Sequence, residues 1–289
     1  MELNGVVIQD TFAEAWALEV VRLVITAISE EVALGAAHQF VGAAGSSELG
    51  SRINGGIERR ALPQETPDGR PGIICAVTMP PNRHSDFIQE LALRVHLATL
   101  IPTCAIFNGM LPQITGTSKM NVYELLRPHF NEKEDHGQIG GRRVCVVPTT
   151  TGEFVFEEEL TVSLQGTDGH FVCYAENESA AVLAVSAGKK ALEGIDGVSP
   201  MGFGLEQVYR LEEYCPKIRE KVAGSKVPDQ VGSILNLLMF GVEEALMMRA
   251  LKESIGAACK VPGVKQIGAM NFGGEFGPYR FFLHQILKS

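Results

Sequence analysis

Short runs rich in β-branched residues alternate with capped helical stretches from end to end of this chain, an interleaving that limits the fold to layered sheet and helix. Leu3 to Ile8 and Val20 to Ala27 read as strands, and Ser29 before Glu30-Glu31 caps a helix running through Phe40. Gly42 to Gly56 is a glycine-rich loop region. Ile57 to Arg59 and Ile73 to Met79 read as strands flanking the proline-rich loop Leu62 to Pro71. Ser85-Asp86 caps a second helix, whose apolar face is Phe87, Ile88, Leu91, Val95 and Leu97. Farther along, Arg143 to Val147, Phe154 to Leu164 and His170 to Ala175 are strand-like, and Asn177 caps a helix through Glu193. A helix from Glu243 to Lys260 precedes a strand through Ala269. Two helices end in one phrase, Ile195-Asp196-Gly197-Val198 and Val261-Pro262-Gly263-Val264, which suggests two related α/β units.

Between Gly109 and Gly141 the periodic signal weakens into a polar excursion, expected as a surface insertion. The expected division is an N-terminal, proximal lobe over 1–142 carrying that insertion at 109–141, and a C-terminal, distal lobe over 143–289. A chain of 289 residues buries about three quarters of its unfolded surface, enough for one large domain or two intimate lobes.

Composition narrows the function. With 20% charged and 45% hydrophobic residues the chain is globular, without the continuous apolar span of a membrane helix. The net charge of −9 and the isolated doublets Arg59-Arg60, Arg142-Arg143 and Lys189-Lys190 exclude a nucleic-acid surface, which needs a dense basic face. No basic, apolar leader opens the sequence, so a cytoplasmic protein is expected. The six cysteines form no C-x-x-C clamp and several sit in apolar runs, as buried thiols do.

Familiar sites are missing. Ala187-Gly188-Lys189-Lys190 lacks the Ser or Thr of a P-loop, Gly202-Phe203-Gly204 lacks the third glycine of a dinucleotide fingerprint, and Gly45-Ser46-Ser47 has the wrong spacing for a nucleophile elbow. The seven histidines make no H-x-H or H-x-x-x-H pair, so no metal site is expected. Glu157-Glu158-Glu159 reads as a solvated strand edge ahead of an acid–base pair.

What remains are motifs in a fixed order. Asn4-Gly5-Val6 and Asp10-Thr11-Phe12-Ala13-Glu14-Ala15 stand at the start, with Thr66-Pro67-Asp68-Gly69-Arg70-Pro71-Gly72, Pro102-Thr103 and Ala105-Ile106-Phe107 after them. Tyr214-Cys215-Pro216 and Asn271-Phe272-Gly273-Gly274-Glu275-Phe276-Gly277-Pro278-Tyr279 complete the set. In this order they resemble formylmethanofuran:tetrahydromethanopterin formyltransferases over nearly the whole chain. The resemblance implies an α+β fold of two ferredoxin-like α/β-sandwich lobes with antiparallel or mixed sheets. It implies transfer of a formyl group between formylmethanofuran and N5 of tetrahydromethanopterin, with no tightly bound cofactor and with methanofuran and tetrahydromethanopterin derivatives as substrates. A homo-oligomer, dimer or tetramer, is also implied.

Carried over by position, the resemblance makes Asp68, Gly69, Arg70, Thr103, Phe107, Gly273 and Gly274 substrate-binding residues. The family's buried catalytic glutamate falls on Asn236, within the strand Val231 to Phe240 between Val227-Pro228 and Gly241-Val242-Glu243-Glu244. Asparagine can donate a hydrogen bond but cannot titrate. A glycine-, serine- and lysine-rich family segment is shortened here to Pro200 to Glu213 and has become acidic. The alternative is therefore a catalytically inactive formyltransferase-like paralogue with a scaffold, regulatory or carrier-binding role, associating with an intact formyltransferase or a formylmethanofuran-handling complex. A related transferase for a smaller carrier is a third reading.

Overall fold

The strand Ala17–Thr26 is buried on both faces, Val20, Val21, Leu23, Val24 and Ile25 supplying branched apolar side chains around the buried Arg22, and it centres one of two units into which the chain divides. The structure, a computed structural model, describes residues 1–45, 50–130, 133–207 and 211–289. The glycine-rich stretch Gly42 to Gly56, the polar excursion between Gly109 and Gly141, the acidic segment Pro200 to Glu213 and the Gly45-Ser46-Ser47 run each include residues outside that set.

In chain order the first elements are β1 (Glu2–Leu3), β2 (Val6–Ile8), β3 (Phe12–Ala15), β4 (Ala17–Thr26), α1 (Glu30–Val41), β5 (Asn54–Ala61), β6 (Gly72–Met79), α2 (His84–Thr99) and β7 (Ala105–Asn108). There follow β8 (Thr117–Asn121), α3 (Val122–Leu126), β9 (Asp135–Ile139), β10 (Arg142–Thr149), β11 (Gly152–Glu157) and β12 (Glu159–Ala175). The last are α4 (Glu178–Leu192), β13 (Val198–Glu206), β14 (Ser233–Gly241), α5 (Glu244–Ala258), β15 (Val264–Gly268), β16 (Tyr279–Phe282) and α6 (Leu283–Lys288).

One unit is Leu18–Gly166. Its β4-α1-β5-β6-α2-β7 order gives a sheet in spatial order β5-β6-β4-β7, antiparallel throughout, which β11, β10 and β9 extend beyond β7. Val21, Leu23 and Ile25 pack toward α1 and α2 with Phe40, Phe87 and Leu91, while Val24 turns to a second cluster with Ile74, Ala105 and Phe107. The Ser29 hydroxyl accepts from Val32 N at 3.3 Å, as a capping serine should. The second helix starts one residue before the expected Ser85 cap.

The other unit is Met1–Ala17 with Thr167–Ser289. Its β12-α4-β13-β14-α5-β15 order again gives an antiparallel sheet, β15-β12-β14-β13, with β2 parallel to β15 and β1 beyond it. The repeated phrase at 195–198 and 261–264 belongs to this unit alone. It closes the two helices α4 and α5, and Gly197 at φ 91° and Gly263 at φ 89° make the two reversals.

Three expectations change. The division falls at 17/18 and 166/167, whereas 142/143 lies inside β10; the strand expected at Phe154–Leu164 is split between β11 and β12, and its second part joins His170–Ala175 in the long strand β12, despite Gly166 and Gly169. The segment 109–141 carries β8, α3 and β9 and supplies Met120, Val122 and Leu126 to the core, so it is not a surface insertion. Its apolar positions are too few and too widely spaced to show a period.

Candidate functional site

Thr66-Pro67-Asp68-Gly69 closes a turn, Gly69 N donating to Thr66 O at 3.4 Å with proline at the second position. Space around Gly69 is open, so its φ of 71° is what requires glycine there. The turn aims Asp68 at the end of β4. Its Oδ2 accepts from the Thr26 hydroxyl at 2.6 Å and from Arg70 Nε at 2.8 Å, and its Oδ1 accepts from Arg70 N at 3.2 Å. Arg70 Nη1 donates to Thr103 O at 2.8 Å and Nη2 to Thr26 Oγ1 at 3.1 Å.

Thr103 itself holds φ 64°, a conformation that a β-branched residue adopts only under strain of about 1–3 kcal/mol. Its hydroxyl accepts from Ile28 N at 3.2 Å. Asp68, Arg70 and Thr103, together with Cys104, Ile139, Thr151, Glu153 and Val155, line a cavity of about 340 Å³. Burial pushes the Cys104 thiol up to about 12, so it stays protonated and is no nucleophile. The site therefore offers an arginine held against a carboxylate, hydroxyls, and the exposed carboxylate of Glu153 at its rim.

Phe107 does not join this cavity; it is fully buried in the cluster with Val24, Ile74 and Val144. Gly273 and Gly274, both at φ 76°, belong to the other unit and serve an internal anion. The carboxylate of Glu14, 1% exposed, accepts from Phe272 N at 2.6 Å, Gly274 N at 3.0 Å, Phe276 N at 2.6 Å and Gly277 N at 2.8 Å. Burial raises its pKa, but these four backbone donors outweigh burial and hold it at about 2. Glu14 lies within the Asp10–Ala15 motif, and only the fold brings the chain's two ends together around it.

Asn236 lies on β14 between Val172 of β12 and Glu206 of β13. It is 2% exposed and its Nδ2 has no hydrogen-bond partner among the described residues. Leu237 and Met239 pack toward α4 and α5, so Asn236 occupies the opposite face of the sheet, near Val172, Tyr174 and Ile234. The expected solvated edge at Glu157-Glu158-Glu159 is also different: Glu158 is 8% exposed, its carboxylate 2.6 Å from His136 Nδ1 and 3.0 Å from Arg143 Nη2. Glu157 accepts from Asn108 N and Arg142 Nη1, both at 2.8 Å. Among the described residues no cluster of His, Cys, Asp or Glu is placed to hold a metal ion, and no helix is long and apolar enough to cross a membrane.

Residues 1–149 match the family profile of formylmethanofuran-tetrahydromethanopterin formyltransferase, and residues 210–286 match the profile of its proximal lobe, so the name proximal falls on the C-terminal part of this chain and not on the expected N-terminal lobe. The formyltransferase of Methanothermus fervidus is 33% identical over 302 residues, covering 99% of this chain and all of that one. The enzyme of Methanosarcina acetivorans is 34% identical over 305 residues with the same coverage. Among solved structures, the formylmethanofuran:tetrahydromethanopterin formyltransferase of Methanosarcina barkeri superposes with a TM-score of 0.89 at 33% identity, over 99% of this chain and 100% of that one. A chain of the formyltransferase/hydrolase complex of Methylorubrum extorquens shares the fold, with a TM-score of 0.86 at 23% identity. With sequence, length and mixed α/β fold all in agreement, the chain belongs to the formylmethanofuran:tetrahydromethanopterin formyltransferase family.

Proposed function

We propose that this chain transfers a formyl group between formylmethanofuran and N5 of tetrahydromethanopterin, with no tightly bound cofactor. The carrying observation is its end-to-end match to enzymes of that name at 33 and 34% identity. In such a transfer the amine attacks an amide carbonyl, a tetrahedral intermediate forms, and a proton passes from the attacking to the leaving nitrogen. The cavity framed by Asp68, Gly69, Arg70 and Thr103 holds part of a carrier, its backbone fixed by the turn and its arginine presented by Asp68. Phe107 supports the strands beside the cavity from the core, while Gly273 and Gly274, in the other unit, shape the loop around Glu14.

Each unit's β-α-β-β-α-β order fits a ferredoxin-like lobe. A cytoplasmic homo-oligomer, dimer or tetramer, completes the proposal, with a formylmethanofuran-handling complex as a further partner; the Methylorubrum chain of the same fold belongs to a formyltransferase/hydrolase complex. One observation favours the alternative of a silent paralogue: Asn236 stands where the family glutamate is expected and cannot titrate.

The test is incubation of the purified protein with formylmethanofuran and tetrahydromethanopterin, following the formyl-pterin, beside the variant Asn236→Glu. Turnover by the wild type supports the enzyme. Absence of turnover in wild type with recovery in the variant supports a silent paralogue with an intact binding site, and silence in both removes formyl transfer as its function.

A further inference from the structure

Thr26, fully buried at the end of β4, joins the network of Asp68, Arg70 and Thr103 from outside the Thr66 to Gly72 run. Its hydroxyl sits between the other two charged groups, donating to Asp68 Oδ2 at 2.6 Å and accepting from Arg70 Nη2 at 3.1 Å. Its cross-strand neighbours are small, Gly72 on β6 and Ala105 on β7. A Cβ at Gly72 would stand 3.2 Å from Thr26 Cγ2, so that glycine gives the threonine methyl its seat and leaves the hydroxyl to face Asp68.

A guanidinium carries five N–H groups in one fixed plane. On Arg70, Nε points at Asp68 Oδ2, one N–H of Nη2 at Thr26 Oγ1 and one of Nη1 at Thr103 O. These anchors come from β4, the β5–β6 connection and the α2–β7 connection, so the plane is held on three sides although the side chain is 33% exposed. One N–H on each terminal nitrogen remains without a partner among the described residues, on an arginine that lines the cavity of about 340 Å³.

The charges around the cavity decide what those donors can take. Asp68 neutralises Arg70 by direct contact and Glu153 adds a carboxylate at the rim, so an anionic group would meet two carboxylates around one guanidinium. A neutral carbonyl oxygen, of an amide or a lactam, accepts from the guanidinium without that opposition. Cys104 keeps its proton and Asp68 already accepts from three donors, so the cavity suits recognition of a carrier over chemistry on it.

We propose that the two remaining N–H groups of Arg70 bind a neutral carbonyl oxygen of one carrier, away from the transferred formyl group, and that Thr26 is the positioning residue that aims them. The proposal rests on the formyl-transfer reading above. Removing the Thr26 hydroxyl frees the Nη2–H that it holds and lets the guanidinium swing about its contact with Asp68, so the two donors no longer meet the carbonyl together. Thr26 acts only through Arg70, and its effect therefore vanishes where the guanidinium is gone.

The experiment titrates the full-length protein by calorimetry with tetrahydromethanopterin and, separately, with formylmethanofuran. It compares wild type, Thr26→Val, Thr26→Ser, Arg70→Gln and the double variant Thr26→Val with Arg70→Gln, each first checked for a cooperative thermal melt. Arg70→Gln should weaken binding of one carrier by about 10–100-fold and leave the other unchanged. Thr26→Val, nearly isosteric, should weaken the same carrier about tenfold, and Thr26→Ser, which keeps the hydroxyl, should stay within about threefold of wild type. The double variant should match Arg70→Gln within about twofold. A threonine that only stabilised its strand would instead weaken both carriers alike or add its loss to that of Arg70→Gln, and either result overturns the proposal. Repeating the Arg70→Gln comparison at low and high potassium chloride reads the charge of the bound group: a constant ratio fits a carbonyl, and a ratio that shrinks with salt shows an anion and overturns the assignment. Turnover is assayed in parallel, so affinity retained by Arg70→Gln refutes the contact while formyl transfer stands, and a wild type that binds neither carrier overturns both.

Discussion

The carboxylate of Glu14 accepts the backbone N–H of Phe276 at 2.6 Å, a contact that spans 262 positions of sequence and fixes the last glycine-rich loop to the first strands. With Phe272, Gly274 and Gly277 donating to the same group, the loop is built around its own anion. Its exposed rings, Phe272 and Phe276, 5.5 Å apart, are thereby held in a defined place.

Glu14→Gln should loosen this loop, because an amide presents one acceptor oxygen where the carboxylate presents two. Since the folded pKa of Glu14 is depressed to about 2 from 4.5, its stabilisation is present above pH 4.5 and is lost as pH falls toward 2. Acid titration of stability should show a decline in that window in wild type and a flattened one in the variant. Unchanged hydrogen-exchange protection at residues 272–277 in Glu14→Gln would contradict it.

His170, buried on β12 with Nε2 3.0 Å from Met270 N, is kept neutral by burial, with its pKa lowered to about 4 from 6.5. The unfolded chain therefore binds this proton first as the solution is acidified. Stability should be level above about pH 6.5 and fall between there and about pH 4, and His170→Gln should remove that part of the decline. Equilibrium urea unfolding across the pH series reads the difference directly.

Arg22 and Glu58 form a buried two-point pair, Nε to Oε2 at 2.8 Å and Nη2 to Oε1 at 2.6 Å, with side chains 4% and 1% exposed. Arg22→Met takes the guanidinium from a buried carboxylate and should cost about 3–5 kcal/mol. Arg22→Lys should restore only part, since an ammonium cannot reproduce the fork. A loss below 1 kcal/mol in chemical denaturation would show that the carboxylate finds other donors.

Thr103→Asn tests the strained corner of the cavity. Asparagine tolerates the left-handed region better than a β-branched residue, so the variant should gain about 1 kcal/mol in stability. Formyl transfer should not rise with it, because the Arg70 contact to the 103 carbonyl is made by backbone and the hydroxyl is lost. Thermal melts that show no gain would mean that φ 64° is not strained here.

Periodicity and capping made the secondary structure legible, since they are local properties of a few neighbouring residues. Ser29 and Asn177 cap where a side-chain oxygen precedes a helical run, and β4 reads as a strand from its β-branched residues. Motif order made the family legible. Hidden from both were the core contribution of Met120, Val122 and Leu126, whose apolar positions follow no period, and the unbroken passage of β12 through Gly166 and Gly169.

The candidate site divides in the same way. Thr66-Pro67-Asp68-Gly69-Arg70 announces a tight turn because proline and glycine restrict the backbone wherever they stand, and its meeting with Thr103 was foreseen only through the family. The sequence by itself determined the helices, the strands, the turn and the family. Tertiary structure decided that Gly273 and Gly274 enclose Glu14, that Phe107 belongs to the core, and that Glu206 faces Asn236. Those outcomes depend on strand register and on contacts between residues far apart in the chain, and a shift of three residues at a bulge changes which side chain meets which without altering any local propensity.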